Sequence, residues 1–163
     1  MTTRLIVALN SQNIIGQNGS LPWSYPGDLK FFREKTVGHV VIMGRNTWES
    51  LPPQVRPLKG RINLVVSSTL APVPGVVYAS LPLALDAAST WDDKDVWIIG
   101  GAKLYEAAID SIDEAVITHI PDKVDVQKGS CVYWQQPSSL VLSRSEPHPY
   151  CPDLTVSYWS KKT

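Results

Sequence analysis

One carboxylate stands alone in an otherwise apolar stretch of this sequence. Asp28 is the only acidic residue among the first 33, and it lies between Trp23 and Phe32 in a run rich in proline and aromatic residues. A helix predicted to begin at Pro26 places Asp28 in the first turn, where a carboxylate can cap the helix and contribute about 1 kcal/mol. A carboxylate removed from water is costly unless a multiply donating partner pairs with it. Asp28 is therefore either a helix cap or the anchor for a ligand with an amidine-like edge.

A pair of glycines marks a second place where chemistry is expected. Gly100 and Gly101 lie between a predicted strand at 96–99 and a predicted helix at 102–109. A glycine turn before a helix lets backbone N–H groups approach a phosphate closely. The pair lacks the full glycine fingerprint of dinucleotide-binding proteins and the lysine of a P-loop, so an ordinary tight turn is the alternative.

Two further strand ends carry groups that suit a phosphate. Arg45 follows a predicted strand at 40–43, and its planar guanidinium can bind a phosphate through two hydrogen bonds. Ser67 begins a run of three hydroxyl side chains after a strand predicted at 62–66, for which a polar turn is the alternative. Because ligands of open α/β sheets bind at the carboxyl ends of strands, the two ends together favour a phosphorylated ligand.

Other kinds of site have little support in the sequence. His39, His119 and His148 are not at metal-ligand spacing with cysteines or carboxylates, so no metal is predicted, and His119 is expected to be structural. The G-x-S-x-G motif of serine hydrolases does not occur in the sequence. The six tryptophans are spread along the chain, which is more typical of core or pocket walls than of a base-stacking surface.

The net charge of zero hides an uneven distribution. Residues 1–61 contain eight basic and three acidic side chains, a charge of +5, so the remainder carries −5. The overall balance argues against a nucleic-acid or membrane surface, whereas the basic half indicates a local site for a small anion. A chance excess of solvated side chains is the alternative.

Alternating strands and helices must position these residues. Apolar runs predict strands at 5–9, 40–43, 62–66, 76–78, 96–99, 115–120, 132–134, 140–142 and 154–159. Several runs are continuous, as in strands that are buried on both faces of a sheet. Helices are predicted at 26–36, 46–51, 82–90 and 102–109. Alternation up to residue 109, followed only by strands, predicts an α/β fold with an antiparallel finish.

Two longer connections are predicted between these elements. Residues 10–25 combine glycines and asparagines with apolar side chains that need something to cover, and loops of ~15 residues are often functional lids. A merely tolerated surface loop is the alternative. Residues 51–60 contain three prolines and are expected to form an irregular but stiff loop.

Length and composition place the chain among ordinary globular domains. Its 163 residues predict one domain, and a content of 44% hydrophobic and 18% charged residues argues against disorder. No apolar run approaches the ~20 residues of a membrane-spanning helix, and the first residues lack a signal-peptide cleavage site. Cys131 and Cys151 form neither a disulfide framework nor a zinc site. We therefore expect a soluble, cytoplasmic monomer without nucleic-acid or membrane partners.

Taken in order, these segments resemble the dihydrofolate reductase family across nearly the whole chain. The matching stretches, which are specific through their common order and spacing, are 5–8, 14–16, 21–23, 28–32, 41–51, 57–61, 67–68, 98–101, 105 and 118–119. The resemblance implies a single domain over 1–163, with an adenosine-binding part at about 39–90. The implied fold is a mostly parallel eight-stranded α/β sheet with an antiparallel C-terminal strand, flanked by about four helices.

The resemblance also implies a reaction. It is the NADPH-dependent reduction of 7,8-dihydrofolate to 5,6,7,8-tetrahydrofolate, with hydride transfer to C6 and protonation of N5, in support of one-carbon metabolism and thymidylate synthesis. Antifolate inhibitors are expected to bind the same site. Asp28 would accept hydrogen bonds from the pterin 2-amino group and N3, each contributing ~1.5–3 kcal/mol, and Thr118 would hydrogen-bond the carboxylate. A water held near Leu21 and Trp23 would protonate N5, because Asp28 lies too far away.

The same resemblance implies roles for further residues. Arg61 would bind the α-carboxylate of the glutamate tail. Tyr105 would be one of the catalytic residues and would lie against the nicotinamide. The residues expected to line the rest of the substrate pocket are Ile6, Ala8, Leu29, Phe32, Leu51, Leu58 and Ile99. The residues expected to bind NADPH are Ala8, Ile15, Gly16, Gly44, Arg45, Thr47, Ser67, Ser68, Ile99, Gly100, Gly101, Ala102, Lys103, Leu104 and Tyr105.

Three details of the implied cofactor site are specific. Arg45 and Ser68 would bind the 2′-phosphate, which predicts a preference for NADPH over NADH. A cis peptide would join Gly100 to Gly101, and residues 10–25 would close over the nicotinamide to exclude water.

The chain departs from the family pattern at residues 128–134, where many members carry an acidic segment that braces the closing loop. Ala102 replaces a frequent third glycine, and Lys103 stands where arginine is common. Two alternative functions remain: a reductase of another pterin or a pyrimidine, and a non-catalytic folate- or nucleotide-binding module.

Overall fold

The computed structural model describes residues 1–70 and 76–162. Its strands are β1 (Thr3–Asn10), β2 (Ile14–Gln17), β3 (Val40–Gly44), β4 (Ile62–Val66), β5 (Val77–Tyr78), β6 (Val96–Ile98), β7 (Glu114–Ile120), β8 (Cys131–Tyr133), β9 (Leu140–Pro147) and β10 (Thr155–Lys161). Its α-helices are α1 (Pro26–Thr36), α2 (Arg45–Ser50), α3 (Leu81–Ala88) and α4 (Ala102–Ala108). Short 3-10 helices lie at Pro53–Val55 and Val126–Lys128.

Eight of the strands form one sheet in the order β5-β4-β3-β6-β1-β7-β10-β9. The pairs β4–β5, β3–β4, β3–β6 and β1–β6 are parallel, whereas β10 runs antiparallel to both β7 and β9. The predicted fold class is therefore confirmed: a mostly parallel eight-stranded sheet whose C-terminal strand is antiparallel.

The chain divides into two compact units. The first unit contains Met1–Leu5 and Thr36–Ile112, and the second contains Ile6–Lys35 and Asp113–Thr163. In the first unit, the four residues Val40 to Met43 of β3 are completely buried. This burial confirms the prediction from their continuous apolar run, since both faces of a central parallel strand are covered.

The second unit is built around α1, β7 and β10. Helix α1 begins with Pro26, carries Asp28 in its first turn and carries Arg33 and Lys35 in its last turn, so its charges complement the helix dipole at both ends. One of the buried apolar clusters of the second unit consists of Ile14, Trp23, Ile120 and Leu154. This cluster covers Ile14 and Trp23, two of the apolar side chains of residues 10–25.

One prediction about these elements is wrong, and one predicted strand is longer than expected. Residues 14–17, predicted to belong to a loop, form β2, and β2 pairs antiparallel with β8 outside the main sheet. The strand predicted at 140–142 continues as β9 to Pro147, and every residue after Leu140 is exposed. Strand β9 is held by pairing with β10, and β2 by pairing with β8. Only the first residue of each strand is buried, so neither sequence carries a periodic signal.

Membrane-spanning helices and metal-binding groups are both absent from the described part of the chain. No helix within 1–70 and 76–162 is long and apolar enough to cross a membrane. The same residues contain no group of three or more histidine, cysteine, aspartate or glutamate side chains arranged to hold a metal ion.

Candidate active site

The Asp28 carboxylate is a meeting point within the second unit. Its Oδ1 atom accepts a hydrogen bond from the Thr118 hydroxyl at 3.0 Å and lies 3.1 Å from Nε2 of His148. The Asp28 side chain is 18% exposed, so it is largely removed from water but still reachable. Because both partners lie on other elements, the carboxylate is bound across the second unit rather than folded back onto the first turn of α1.

Thr118 reaches Asp28 from β7, where it is buried and lies opposite Val156 of β10. Its neighbour His119 faces the other side of the strand, and its Nε2 lies 2.7 Å from the Ser157 hydroxyl. Burial lowers the pKa of His119. The contact of His119 is thus with the adjacent strand, which agrees with the structural role expected for it.

His148 is the residue of this site that the sequence did not reveal. It directly follows β9, is separated from Asp28 by 120 positions and has a completely buried side chain. Its ring packs against Phe31 of α1, with ring centroids 5.0 Å apart. No local motif surrounds it, and the only available signal was a histidine with no metal-binding partners.

The other predicted residues of the second unit lie on four neighbouring segments. Ile6 and Ala8 are on β1, Ile15 and Gly16 on β2, Leu21 and Trp23 before α1, and Leu29 and Phe32 on α1. Leu21 is 49% exposed and Leu29 is 62% exposed. Exposed leucines of this size provide apolar area that a bound ligand can cover.

In the first unit, the diglycine turn lies against the end of β3. The N–H of Gly44 donates to the carbonyl oxygen of Gly100 at 2.7 Å, and the Gly100–Gly101 peptide is cis, as the resemblance implies. Gly100 has φ of +117°, and a Cβ there would lie 3.1 Å from the Tyr105 hydroxyl and 3.5 Å from Thr47 Oγ1. The turn therefore requires glycine at position 100, and it brings three predicted residues together.

Helix α4 follows this turn and carries Ala102, Lys103, Leu104 and Tyr105, while Ile99 precedes it. Tyr105 is buried, and burial raises the pKa of its hydroxyl far above the ordinary range. Its backbone N–H donates to the carbonyl oxygen of Gly101 at 3.0 Å. Tyr105 therefore acts here as a neutral wall behind the turn, not as an acid.

Arg45 lies at the first position of α2, beside the hydroxyl groups after β4. Its Nε donates to Glu49 at 2.8 Å, and its Nη1 donates to Thr69 Oγ1 at 2.9 Å. Ser67 accepts from the backbone N–H groups of Thr69 and Leu70, which makes it part of an ordinary polar turn. Ser68 is exposed. The structure thus brings Arg45 to Thr69, the last of the three hydroxyl side chains noted in the sequence.

Arg61 and Leu58 precede β4 in a segment that is held by hydrogen bonds. The Arg61 guanidinium donates to the Lys59 carbonyl at 3.0 Å and to Thr36 Oγ1 at 3.2 Å. Leu58 exchanges two hydrogen bonds between its backbone and the Asn63 side chain, at 2.8 and 2.9 Å. Asn63 was not predicted, and it holds the loop that carries Leu58. Leu51, which directly follows α2, is half-buried.

The atypical residues 128–134 brace the segment 10–25 within the second unit. Strand β8 pairs with β2, joining Gly16 to Val132 and Gln17 to Cys131. The Asn18 side chain adds a donated hydrogen bond to the Lys128 carbonyl and an accepted one from the Ser130 N–H, both at 3.2 Å. The bracing expected from acidic side chains in the family is here made through backbone groups and the side chains of Gln17 and Asn18.

This brace leads to a testable prediction at Gly129. A Cβ added there would lie 2.1 Å from the Asn18 amide, so Gly129→Ala is expected to destabilise the protein by about 1–3 kcal/mol. Asn18 has φ of +52°, which glycine adopts readily, so Asn18→Gly removes the clash without straining the backbone. In urea unfolding, the free energy of unfolding of the double variant should fall by less than the sum of the decreases in the two single variants. Strictly additive decreases would contradict the clash.

Comparison with known proteins agrees with these features. The family model for dihydrofolate reductase matches residues 2–136. The dihydrofolate reductase of Mycobacterium tuberculosis is 39% identical over 118 residues, which is 71% of this chain and 70% of that protein. The dihydrofolate reductase of Schistosoma mansoni is 40% identical over 140 residues, covering 77% and 75% of the two chains.

A solved structure is similar over almost the full length of both chains. It is the dihydrofolate reductase from Enterococcus faecalis complexed with NADP(H) and RAB-propyl, with a TM-score of 0.83, 26% identity, and coverage of 99% of this chain and 97% of that one. The strand order, the Asp28 and diglycine geometry and these matches lead to one conclusion. The chain belongs to the dihydrofolate reductase family, whose members are NADP-dependent oxidoreductases.

Proposed function

We propose that this chain reduces 7,8-dihydrofolate to 5,6,7,8-tetrahydrofolate by hydride transfer from NADPH to C6, with protonation at N5. The observation that carries the proposal is the Asp28 carboxylate, whose Oδ1 is bound to Thr118 and His148. Among the described residues, the hydrogen bonds to this carboxylate all end on Oδ1. Oδ2 therefore remains to accept hydrogen bonds from the amino edge of a pterin.

The surroundings of Asp28 strengthen such a hydrogen bond. The side chain is mostly removed from water, and a charge-assisted hydrogen bond is stronger in a medium of low dielectric. Leu29 and Phe32, on the same helix, provide apolar surface for the pterin ring. Dihydrofolate is thus proposed to be oriented through its amino edge, while Trp23 and Leu21 hold the water that protonates N5.

The first unit contains groups that fit NADPH. Gly100, with its positive φ, lets a phosphate approach the backbone closely. Arg45 provides positive charge, and the exposed hydroxyls of Ser68 and Thr69 near it provide hydrogen-bond donors. When bound, NADPH supplies the hydride. Gly44, Thr47, Gly101 and Tyr105 are proposed to hold its pyrophosphate and nicotinamide portions, and Arg45 its 2′-phosphate.

The remaining predicted residues keep their proposed roles. Arg61, whose guanidinium is held by Thr36, is proposed to bind the α-carboxylate of the glutamate tail. The segment 10–25 is proposed to exclude water from the hydride path, and its brace to residues 128–134 would hold it in place. The product would serve one-carbon metabolism and thymidylate synthesis.

Turnover with defined substrates tests the proposal. Purified full-length protein is mixed with NADPH and dihydrofolate, and the loss of the near-ultraviolet absorbance of NADPH is followed against a blank without protein. The expected result is steady oxidation of NADPH that requires dihydrofolate. A dihydropterin without the glutamate tail serves as the matched substrate and should react with a higher KM, because it cannot engage Arg61.

The two alternative functions predict different outcomes of this assay. Tight binding of both ligands without turnover would identify a binding module and overturn the proposal. Turnover that is equally efficient with the pterin lacking the tail would indicate a reductase of another pterin.

A further inference from the structure

The second unit contains a buried titratable group for which the proposed reaction has no role so far. His148 has no exposed side-chain surface, and its backbone N–H donates to the Leu154 carbonyl at 3.0 Å. Its position is therefore fixed by the turn between β9 and β10 as well as by the Phe31 ring. Burying a polar ring at this depth is costly unless both nitrogens are satisfied.

The hydrogen bonds at Nδ1 determine which nitrogen carries the proton. Nδ1 lies 3.0 Å from the backbone nitrogen of Tyr150 and 3.1 Å from that of Cys151. Both of these groups are donors, so Nδ1 must present its lone pair to them. The ring proton then lies on Nε2, and Nε2 donates it to Asp28 Oδ1 across 3.1 Å.

We propose that His148 is a positioning residue for Asp28 in dihydrofolate binding, and this inference rests on the proposed function. Two backbone N–H groups orient the imidazole, and its Nε2–H together with the Thr118 hydroxyl holds Oδ1. The plane of the carboxylate is thus set before the ligand binds, and Oδ2 is left to accept hydrogen bonds from the amino edge of the pterin. Such preorganisation lowers the ordering cost of binding.

The neighbouring thiol does not disturb this arrangement. Burial and then the negative charge of Asp28 raise the pKa of Cys151, whereas backbone N–H groups of Asp28 and Gly27 act in the opposite direction. The thiol therefore stays neutral near physiological pH and adds no second negative charge beside the carboxylate.

Two substitutions separate the bond to Asp28 from the bonds within the turn. In His148→Asn, the amide oxygen takes the place of Nδ1 and keeps the two backbone hydrogen bonds, but no donor reaches Asp28. In His148→Gln, the longer side chain places an amide donor near the position of Nε2 and leaves the turn without its acceptor. The first variant tests the positioning role, and the second is its matched control.

Of the two variants, His148→Asn should therefore lose more activity, and His148→Gln should lose more stability. His148→Asn is expected to unfold close to the wild-type urea midpoint and to lose about 10- to 100-fold in kcat/KM for dihydrofolate, with KM for NADPH unchanged. His148→Gln is expected to unfold at lower urea concentration and to stay within about 3-fold of wild-type kcat/KM. Wild-type kcat/KM in His148→Asn, or a loss in His148→Gln that equals or exceeds it, would overturn the proposal.

Nitrogen NMR of the histidine-labelled wild-type protein tests the same proposal without a substitution. The expected spectrum shows His148 with a protonated Nε2 and an unprotonated Nδ1, and the Nε2 resonance shifts when a 2,4-diaminopyrimidine is added. A protonated Nδ1, or an Nε2 chemical shift that does not change when the ligand is added, would overturn the positioning role. A wild-type protein without turnover would instead contradict the proposed function, so the two failures are distinguishable.

Discussion

Asp28→Asn is expected to retain the fold and NADPH binding while lowering kcat/KM for dihydrofolate by about 10²- to 10⁴-fold near neutral pH. The reason lies in the two donors that converge on Oδ1, the Thr118 hydroxyl and His148 Nε2. Asparagine must direct its carbonyl oxygen toward them, which leaves its NH₂ group in the place of Oδ2. A donor would then face the amino edge of the pterin, where an acceptor is required.

Steady-state kinetics with dihydrofolate and a fluorescence titration with NADPH measure the two parts of this prediction. Asp92→Asn, which neutralises an exposed carboxylate in the first unit, is the matched control and should behave as wild type. A near-wild-type kcat/KM in Asp28→Asn would remove Asp28 from substrate binding.

Arg45→Ala is expected to weaken NADPH binding by about 10- to 100-fold and NADH binding by less than about 3-fold. The Arg45 side chain is 41% exposed and its guanidinium is oriented by Glu49 and Thr69, so it is held where a phosphate from solvent can reach it. Loss of its exposed pair with Glu49 costs at most about 0.5 kcal/mol of stability. The effect should therefore concern the 2′-phosphate, which NADH lacks, rather than the fold.

Titrations of both nucleotides against both proteins give the required ratio. Arg144→Ala is the matched control, because Arg144 is an exposed arginine that also pairs with a nearby glutamate, and it should change neither affinity. An equal loss for NADPH and NADH in Arg45→Ala would remove the assignment of the 2′-phosphate to this residue.

The sequence predicts the buried parallel strands well because burial on both faces requires a continuous apolar run. The run at 40–43 is an example, and its residues are completely buried in β3. Strand β2 escapes prediction because it is short and mostly half-exposed and is held by pairing with β8, which the apolar run at 132–134 does predict. The polar half of β9 escapes it for the same reason, since β10 rather than a core determines its conformation.

In the candidate site, features that are local in the sequence could be predicted, whereas contacts between residues far apart in the sequence could not. Asp28 and the diglycine turn are recognisable because their unusual features, a lone carboxylate in an apolar run and a glycine pair after a strand, are local in the sequence. The contact of Asp28 with His148 joins residues 120 positions apart, and nothing near His148 indicates it. Thr69 belongs to a hydroxyl run that the sequence shows, but its hydrogen bond with Arg45 follows only from the pairing of β3 with β4.

Transfer of deuterium from labelled NADPH shows whether the protein moves a hydride from NADPH to C6 of dihydrofolate. NADPH that carries deuterium at the transferred position of its nicotinamide is incubated with dihydrofolate and the full-length protein, and the product is examined by mass spectrometry and proton NMR. We expect tetrahydrofolate with one deuterium, located at C6. A product without deuterium, deuterium at another carbon, or no reduced product at all would contradict this transfer.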